Sequence, residues 1–179
     1  MQSHSIFLAM IFLITSMVIV PSHAASQNAN ALVSGILSYT TWNPNIAQLN
    51  FCIIDGPAKF ISSHIFNPPS PLIKPNDIKI EMLSSPEILT TPEIVYRNEC
   101  NVLYFVDTVD QIQQRILNYK YDGILTISEQ NPECAIGSTF CLYRHADKYS
   151  FKVNLVSLKK SNIRVNSKVL MLANAEEGK

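Results

Sequence analysis

The stretch "NVLYFVDTVDQIQQRILNYKYDGILTIS", residues 101–128, decides the fold. It opens with the nearly continuous apolar run "NVLYFV", which is typical of a strand that is covered on both faces. The segment "TVDQIQQRILNYK" follows and carries one apolar helical stripe. That stripe contains Val109, Ile112, Ile116 and Leu117. A glycine turn at Gly123 then leads into "ILTIS", a second run of the central-strand type. The stretch therefore predicts a strand, a helix and a strand in succession.

The preceding part of the chain shows the same alternation. Residues 26–41 place apolar side chains at helical spacing, which predicts an amphipathic helix that ends near Asn43 and Pro44. The segment "QLNFCII", residues 48–54, predicts a strand, and "AKFISSHIF", residues 58–66, predicts a short helix after a turn.

Between these elements and residue 101 the pattern is more irregular. Residues 67–76 hold four prolines and predict an exposed, extended loop. Residues 77–83 alternate apolar and polar side chains, which predicts a strand with one solvated face. Its alternating apolar residues are Ile78, Ile80 and Met82. The near-repeat in residues 84–99 offers Ser85 and Thr91 as caps for one or two short helical turns, each followed by a proline.

The C-terminal part predicts a hairpin and two short helices. "STFCLYRH" and "YSFKVN" are alternating segments joined by the polar "ADK". Asn154 is placed to cap the helix "LVSLKKSN", and a short extended piece precedes a last helix. That last helix contains Leu170, Met171 and Leu172. The whole pattern predicts an α/β fold: a single-domain sandwich with a mixed, partly parallel central sheet flanked by helices.

The N-terminus has the pattern of an export signal. Ile6–Val20 is an apolar run broken only by two hydroxyl residues, and Ser22 and Ala24 are small residues at a cleavage site. These features predict that residues 1–24 are a secretory signal peptide cleaved after Ala24, which leaves residues 25–179 as the mature domain. An uncleaved anchor is the alternative, although the run is short for a membrane span, which needs about 20 apolar residues.

Charge and composition exclude several function classes. The chain has 14 Lys and Arg against 14 Asp and Glu, so it lacks the basic excess that nucleic-acid binding requires. Its five glycines form neither a phosphate loop nor a dinucleotide fingerprint. His64 and His145 are isolated, and Glu129 and Glu133 lie in a polar turn, where we expect solvated carboxylates rather than an acid/base pair. We therefore expect no enzyme activity, no cofactor and no metal site.

The four cysteines are best explained by export. Outside the cytoplasm, an even number of thiols in a domain of this size predicts disulfides. A bridge between Cys134 and Cys141 would join a loop to the strand that it feeds. Cys52 and Cys100 would pair if their two strands run side by side. A zinc site would require closer ligand spacing, and the C-x-x-C redox motif is absent. From the residues alone, three connectivities stay open.

An ordered set of segments resembles the YfiR family of periplasmic regulators, from about Leu32 to Ala173. The segments are "LVSGILSYTTW", "LNFCII", "ECNVLYF", "GILTISEQNPECAIGSTFCLYRH", "YSFKVNL" and "VNSKVLMLA". The resemblance implies a repressor that binds the periplasmic part of a YfiN-like inner-membrane diguanylate cyclase. It also implies sequestration by a YfiB-like outer-membrane lipoprotein and formation of a homodimer.

The resemblance also implies the disulfides Cys134–Cys141 and Cys52–Cys100, whose loss would release the cyclase in a redox-sensing mechanism. Two further expectations concern binding. Candidate partner contacts are Tyr39, Trp42, Val169 and Leu170, and core packing is the alternative for each of them. A second hypothesis is a periplasmic small-molecule binding module without catalytic activity, with a pocket at the strand ends.

Overall fold

The computed structural model describes residues 28–42, 46–62, 78–119 and 121–173. Its main sheet has six strands in the order β3-β2-β4-β5-β6-β7, and β1 and β8 form a separate antiparallel pair. The first five strands of the main sheet are parallel, and β7 is antiparallel to β6. The strands are β1 (Thr40–Thr41), β2 (Leu49–Ile54), β3 (Ile78–Leu83), β4 (Val102–Phe105), β5 (Leu125–Ser128), β6 (Phe140–His145), β7 (Lys148–Val153) and β8 (Arg164–Val165). The predicted mixed, partly parallel sheet is confirmed.

Helices lie on both faces of this sheet. They are α1 (Ala29–Ser38), α2 (Ser85–Thr90), α3 (Ile94–Arg97), α4 (Asp110–Leu117), α5 (Leu155–Ser161) and α6 (Leu170–Ala173), with a 3-10 turn at Ser167–Val169. In the part of the chain that the structure describes, no helix has the length and apolar character needed to span a membrane.

Strand β4 shows why the fold is a sandwich. All four of its residues are buried, and successive side chains point to opposite faces of the sheet. Val102 and Tyr104 belong to the cluster under α1, whereas Leu103 and Phe105 belong to the cluster under α2, α3 and α4. A strand of this kind needs an apolar residue at every position, which is the pattern that its sequence shows.

The strand order reverses direction at β2. The chain leaves β2 to form β3 on one side and later returns to form β4 on the other side. The carboxyl ends of β2 and β4 therefore border a crevice of the type in which open α/β sheets bind ligands. The residues that follow these two strands begin with Asp55 and Val106.

Two of the predicted helices need correction. The opening helix ends at Ser38 rather than near residue 43, because Thr40 and Thr41 join β1 and pair with β8. The helix expected at residues 58–66 is wrong over 58–62, which are not helical. There the backbone N–H groups of Lys59 and Phe60 bind the Glu129 carboxylate instead of preceding carbonyls. Residues 63–77, with the proline-rich segment, lie outside the described residues, as do residues 1–24.

Smaller corrections concern residues 78–99. Ser84 caps α2, in place of the predicted Ser85, and its hydroxyl accepts the Glu87 N–H. Helix α3 follows as a second short turn, but no side chain caps it, so the prediction of Thr91 as a cap is wrong. The alternation in β3 does not bury its apolar set: Ile80 and Met82 are exposed. The strand lies at the sheet edge, where one neighbour is missing among the described strands.

Candidate functional site

The first disulfide, Cys52–Cys100, staples two central strands. Cys52 lies in β2 and Cys100 lies just before β4, with 5.8 Å between their Cα atoms. Both residues are buried in the apolar cluster under α2, α3 and α4. Asn50 and Asn101 add hydrogen bonds beside the bridge, with the Asn101 N–H donating to the Asn50 carbonyl over 2.9 Å. The bridge therefore fixes the start of β4 against β2.

The second disulfide, Cys134–Cys141, closes a short loop into the start of β6. Its Cα atoms are 5.6 Å apart, and Cys134 has a left-handed backbone with φ of 52°. The Cys134 N–H donates to Asn131 Oδ1 over 2.9 Å. The structure thus has the pairing of the four cysteines that the family resemblance implies, and all four are in disulfides.

Helix α4 holds the disulfide loop from one side. Ser138 Oγ donates to Gln113 Oε1 over 2.8 Å, and the Gly137 N–H donates to Gln114 Oε1. Gly137 has a φ of 88°, and a Cβ atom there would lie 2.8 Å from Gln113 Oε1. Only glycine combines this backbone with so close an approach. Gly137, which lies between the two cysteines, is therefore required for the close contact between the disulfide loop and α4.

Helix α5 holds the loop from the other side, mainly through Asn154. The Asn154 amide donates to the carbonyls of Cys134 and Ala135, both over 3.2 Å. Asn154 Oδ1 accepts the Ser157 N–H and so caps α5, as its position before the helix predicts. Ser157 Oγ in turn donates to the Gly137 carbonyl over 2.7 Å. One asparagine thus joins the first turn of α5 to the disulfide loop.

Glu129 is not the solvated carboxylate that its polar turn predicts. Its side chain is buried, with the residue only 4% exposed. The carboxylate accepts the backbone N–H groups of Lys59 and Phe60, the latter over 2.7 Å, and the Tyr104 hydroxyl over 2.7 Å. Burial raises the pKa of Tyr104, and the negative charge of Glu129 raises it further. The phenol therefore stays neutral and donates its hydrogen bond. Glu133 remains exposed, so the two carboxylates form no acid/base pair.

The crevice at the strand reversal contains other side chains with partners inside the chain. Asp55 accepts the Ser85 N–H over 2.7 Å and the Thr108 hydroxyl. Lys59 and Asp107 form an ion pair. Together with the Glu129 bonds, these contacts place the chain's own loop, residues 57–61, at the carboxyl edge of the sheet. Beside this loop, a cavity of about 310 Å³ opens between β2 and β3, and its lining is mainly apolar.

A cavity of about 270 Å³ lies at the opposite edge of the sheet, between α4 and α5. Its lining includes Leu117, Tyr121, Ile124, Thr126, Ser157 and Lys160. Pockets for small molecules usually begin at about 300 Å³, so the volume of this cavity lies just below that range. Within the described ranges, no three His, Cys, Asp or Glu side chains are placed to hold a metal ion. His145 is exposed, and His64 lies outside the described residues.

The four predicted partner contacts occupy different environments. Tyr39 and Trp42 are half-buried and pack against the cluster under α1. Val169 is a buried core residue of that cluster, whereas the adjacent Leu170 is exposed. Sequence reasoning could not separate these two neighbours, because the last apolar stretch gives no clear period. It also missed Leu155 and Val156, which are the most exposed apolar residues of α5.

Comparison with known families agrees with this arrangement. A family model described as YfiR/HmsC-like matches residues 26–174, a range that includes every helix, every strand and both disulfides described above. Members of this family are periplasmic regulators of diguanylate cyclase signalling and act by regulation rather than catalysis. The chain belongs to the YfiR/HmsC-like family.

Proposed function

We propose that this protein is a repressor that binds the periplasmic domain of an inner-membrane diguanylate cyclase and restrains cyclic di-GMP synthesis. The family match over residues 26–174 carries this proposal. The two disulfide-bonded pairs of cysteines add support, since a stapled domain offers a rigid surface for a partner.

Repression requires differential binding. A protein that bound the active and inactive forms of the cyclase equally well would shift neither population. To move the cyclase from 99% active to 99% inactive, the repressor must prefer the inactive form by about 10⁴-fold. An outer-membrane lipoprotein that binds the repressor would reverse this shift by mass action, because only free repressor occupies the cyclase.

Tyr39, Trp42 and Leu170 are the predicted contacts whose side chains reach the surface at least in part. Val169 would act beneath them, by holding the final turn onto the core. A homodimer would double the contacts available to a two-fold symmetric cyclase.

The disulfides would make repression sensitive to redox conditions. A folded, oxidised repressor holds the cyclase, and a reduced one loses stability and releases it. Each bridge contributes roughly 2.5–4 kcal/mol to the free energy of unfolding. This is a large share of the typical total of about 5–15 kcal/mol for a domain.

Deletion of this gene, with and without the cyclase gene, tests the proposal. We expect cyclic di-GMP to rise on deletion only where the cyclase is present. A Trp42→Ala variant should raise cyclic di-GMP while the amount of protein in the periplasm stays constant. Tyr119→Ala, which removes an exposed aromatic ring beside Tyr121, serves as the matched control. Unchanged cyclic di-GMP after the deletion would contradict repression.

The α4–α5 cavity favours the second candidate, a small-molecule binding module. Native mass spectrometry of the purified protein would detect a bound metabolite as added mass. Loss of that mass in a Thr126→Leu variant, which fills the cavity from β5, would assign the ligand to this place.

A further inference from the structure

Helix α5 presents an apolar surface next to the disulfide loop. Leu155 is 70% exposed and Val156 is 65% exposed, and no residue of α5 is buried. Ile136 is also exposed, and its neighbours Ala135 and Gly137 bind Asn154 and Ser157 of the first turn. We call Ile136, Leu155 and Val156 the α5 patch. Leu155 and Val156 lie in the first turn of α5, and Ile136 lies in the loop that is hydrogen-bonded to that turn. Exposed apolar residues scattered singly need no explanation, but these three belong to one small region.

Positive charge borders the α5 patch. Lys159 and Lys160 lie four residues after Leu155 and Val156, so each lysine follows one patch residue on the same side of the helix. Lys152 precedes the helix on β7. Among the described residues these three lysines form no ion pair. The acidic residues nearby are Glu133, Asp110, which accepts from Asn131, and Asp122, which lines the α4–α5 cavity with Lys160. The charge that complements this border is negative.

The disulfide loop determines the position of the α5 patch. Asn154 and Ser157 bind the loop carbonyls of Cys134, Ala135 and Gly137, and Gln113 and Gln114 hold the same loop on α4. No side chain of α5 is fully buried, and Leu158 is half-buried, so these polar contacts carry much of the attachment of its first turn. The Gly123 N–H holds the other end by donating to the Ser161 carbonyl. Cys134 keeps a left-handed backbone within the closed ring. Opening the ring would therefore loosen the loop and, with it, the first turn of α5.

We propose that the α5 patch docks an acidic-bordered apolar surface of a partner protein, and that the Cys134–Cys141 disulfide holds this docking surface in place. The proposal rests on the proposed function, for which it names a contact surface beyond Trp42 and Leu170. A lipid surface fits less well, because α5 has only seven residues and three apolar side chains, whereas interfacial helices carry a long apolar face.

The redox step is a thiol–disulfide exchange with a dithiol reductant. A thiolate of the reductant attacks Sγ of Cys134, the slightly more exposed residue of the pair, and forms a mixed disulfide. The Cys134–Cys141 bond breaks, and Cys141 leaves as a thiolate that takes up a proton. The second thiol of the reductant then displaces Cys134, which is also protonated. The reductant becomes a disulfide, so two electrons and two protons reach the protein.

A binding titration with the purified periplasmic domain of the cyclase tests the surface. We expect the double variant Leu155→Ser/Val156→Ser to bind at least about tenfold more weakly than wild type. Met82→Ser, an exposed apolar side chain on the opposite edge strand, is the control and should bind like wild type. If the double variant binds like wild type, the inference is overturned while the proposed function stands. If wild type itself does not bind, both are overturned.

Charge reversal tests the lysine border. Lys159→Glu/Lys160→Glu should weaken binding about tenfold, and raising the salt concentration should reduce the difference between this variant and wild type. Lys148→Glu makes the same kind of change at the far end of β7 and should leave affinity unchanged. Binding to anionic lipid vesicles that is lost in the double lysine variant, with cyclase binding intact, would overturn the choice of a protein occupant.

Asn154→Ser tests the coupling to the disulfide. Serine still caps a helix well but lacks the amide that binds the Cys134 and Ala135 carbonyls. We expect faster hydrogen exchange over residues 154–161 in this variant with both disulfides intact, and weaker cyclase binding. Cys134→Ala/Cys141→Ala should show the same exchange in α5. Wild-type exchange rates over 154–161 in both variants would overturn the coupling, and the serine variant supplies the test if the alanine variant does not fold.

Discussion

The regions around the two disulfides show two different uses of the same covalent bond. Cys52–Cys100 spans 48 residues and lies among buried side chains between two parallel strands. Cys134–Cys141 spans seven residues and lies between α4 and α5, a helix without a fully buried side chain. The first bridge lies within an apolar core, whereas the second, although also buried, closes a loop that is held largely by side-chain hydrogen bonds from α4 and Asn154. Their removal should therefore have different consequences.

The largest effect is expected from Cys52→Ala/Cys100→Ala. By the loop-closure relation, a ring of this length contributes about 4 kcal/mol to the free energy of unfolding. Urea denaturation of the double variant, followed by circular dichroism, measures the loss. The removal of two buried sulfur atoms adds a cavity term in the same direction. A loss smaller than that of the other disulfide would break the comparison.

Cys134→Ala/Cys141→Ala should cost less in global stability, about 2.5 kcal/mol, because its ring is short. Its local effect should be larger, since α5 depends on the loop for position. The same urea titration gives the global value, and hydrogen exchange over residues 154–161 gives the local one. Equal hydrogen-exchange protection of α5 in the two double variants would contradict this prediction, because the second disulfide would then have no greater effect on α5 than the first.

Glu129→Gln is expected to come next. The carboxylate binds three donors in a buried place, and an amide would keep at most one acceptor oxygen for them while adding two N–H donors. We expect a loss of about 1–3 kcal/mol. Glu133→Gln is the control, because that exposed side chain should change stability by less than about 0.5 kcal/mol. The loss of stability in Glu129→Gln can then be compared with the loss in Cys134→Ala/Cys141→Ala. This comparison shows whether hydrogen bonds stabilise the loop after β2 as much as a disulfide stabilises the loop before β6.

The smallest effect is spectroscopic. Burial raises the pKa of Tyr121 to about 12, and Tyr121 shares the apolar cluster of Cys52 and Cys100. The unfolded phenol titrates near 10.0. The contribution of neutral Tyr121 to the free energy of unfolding is therefore complete below that pH and is lost as the pH rises from 10 through 12. Absorbance of the tyrosinate ion would follow the titration. Removing Cys52–Cys100 should lower this pKa, and removing Cys134–Cys141 should leave it unchanged.

Much of the fold could be predicted from local pattern. The buried run of β4, the helix α4, the hairpin of β6 and β7 and the Asn154 cap all depend on residues close in sequence, and all are confirmed. The apolar stripe predicted for α4 is wrong at Val109, which precedes the helix and is 60% exposed. The short helix at 58–66 failed over 58–62 because a distant carboxylate competes for its N–H groups. The hydrophobic periodicity of a short segment carries no information about a hydrogen-bond partner 70 residues away in the sequence, such as Glu129 for Lys59.

The candidate site was predicted less completely for the same reason. The cysteine count and compartment predict disulfides. The position of the 134–141 loop, however, depends on Gln113 and Gln114 of α4 and on Asn154, which caps α5. The burial of Glu129 depends on Tyr104 and on the loop after β2. Exposed Leu155 and Val156 look in sequence like any helical apolar pair, and only the fold reveals that nothing in the described chain covers them.

The order of the cysteine pairs has a consequence for biogenesis. The first cysteine pairs with the second, and the third pairs with the fourth. A chain that crosses a membrane with its N-terminus leading would present both members of the Cys52–Cys100 pair to a thiol oxidase before either member of the Cys134–Cys141 pair. An oxidase that joins cysteines in order of arrival would then form both native bridges directly. Maturation would not have to wait for disulfide isomerisation, which takes seconds to hours.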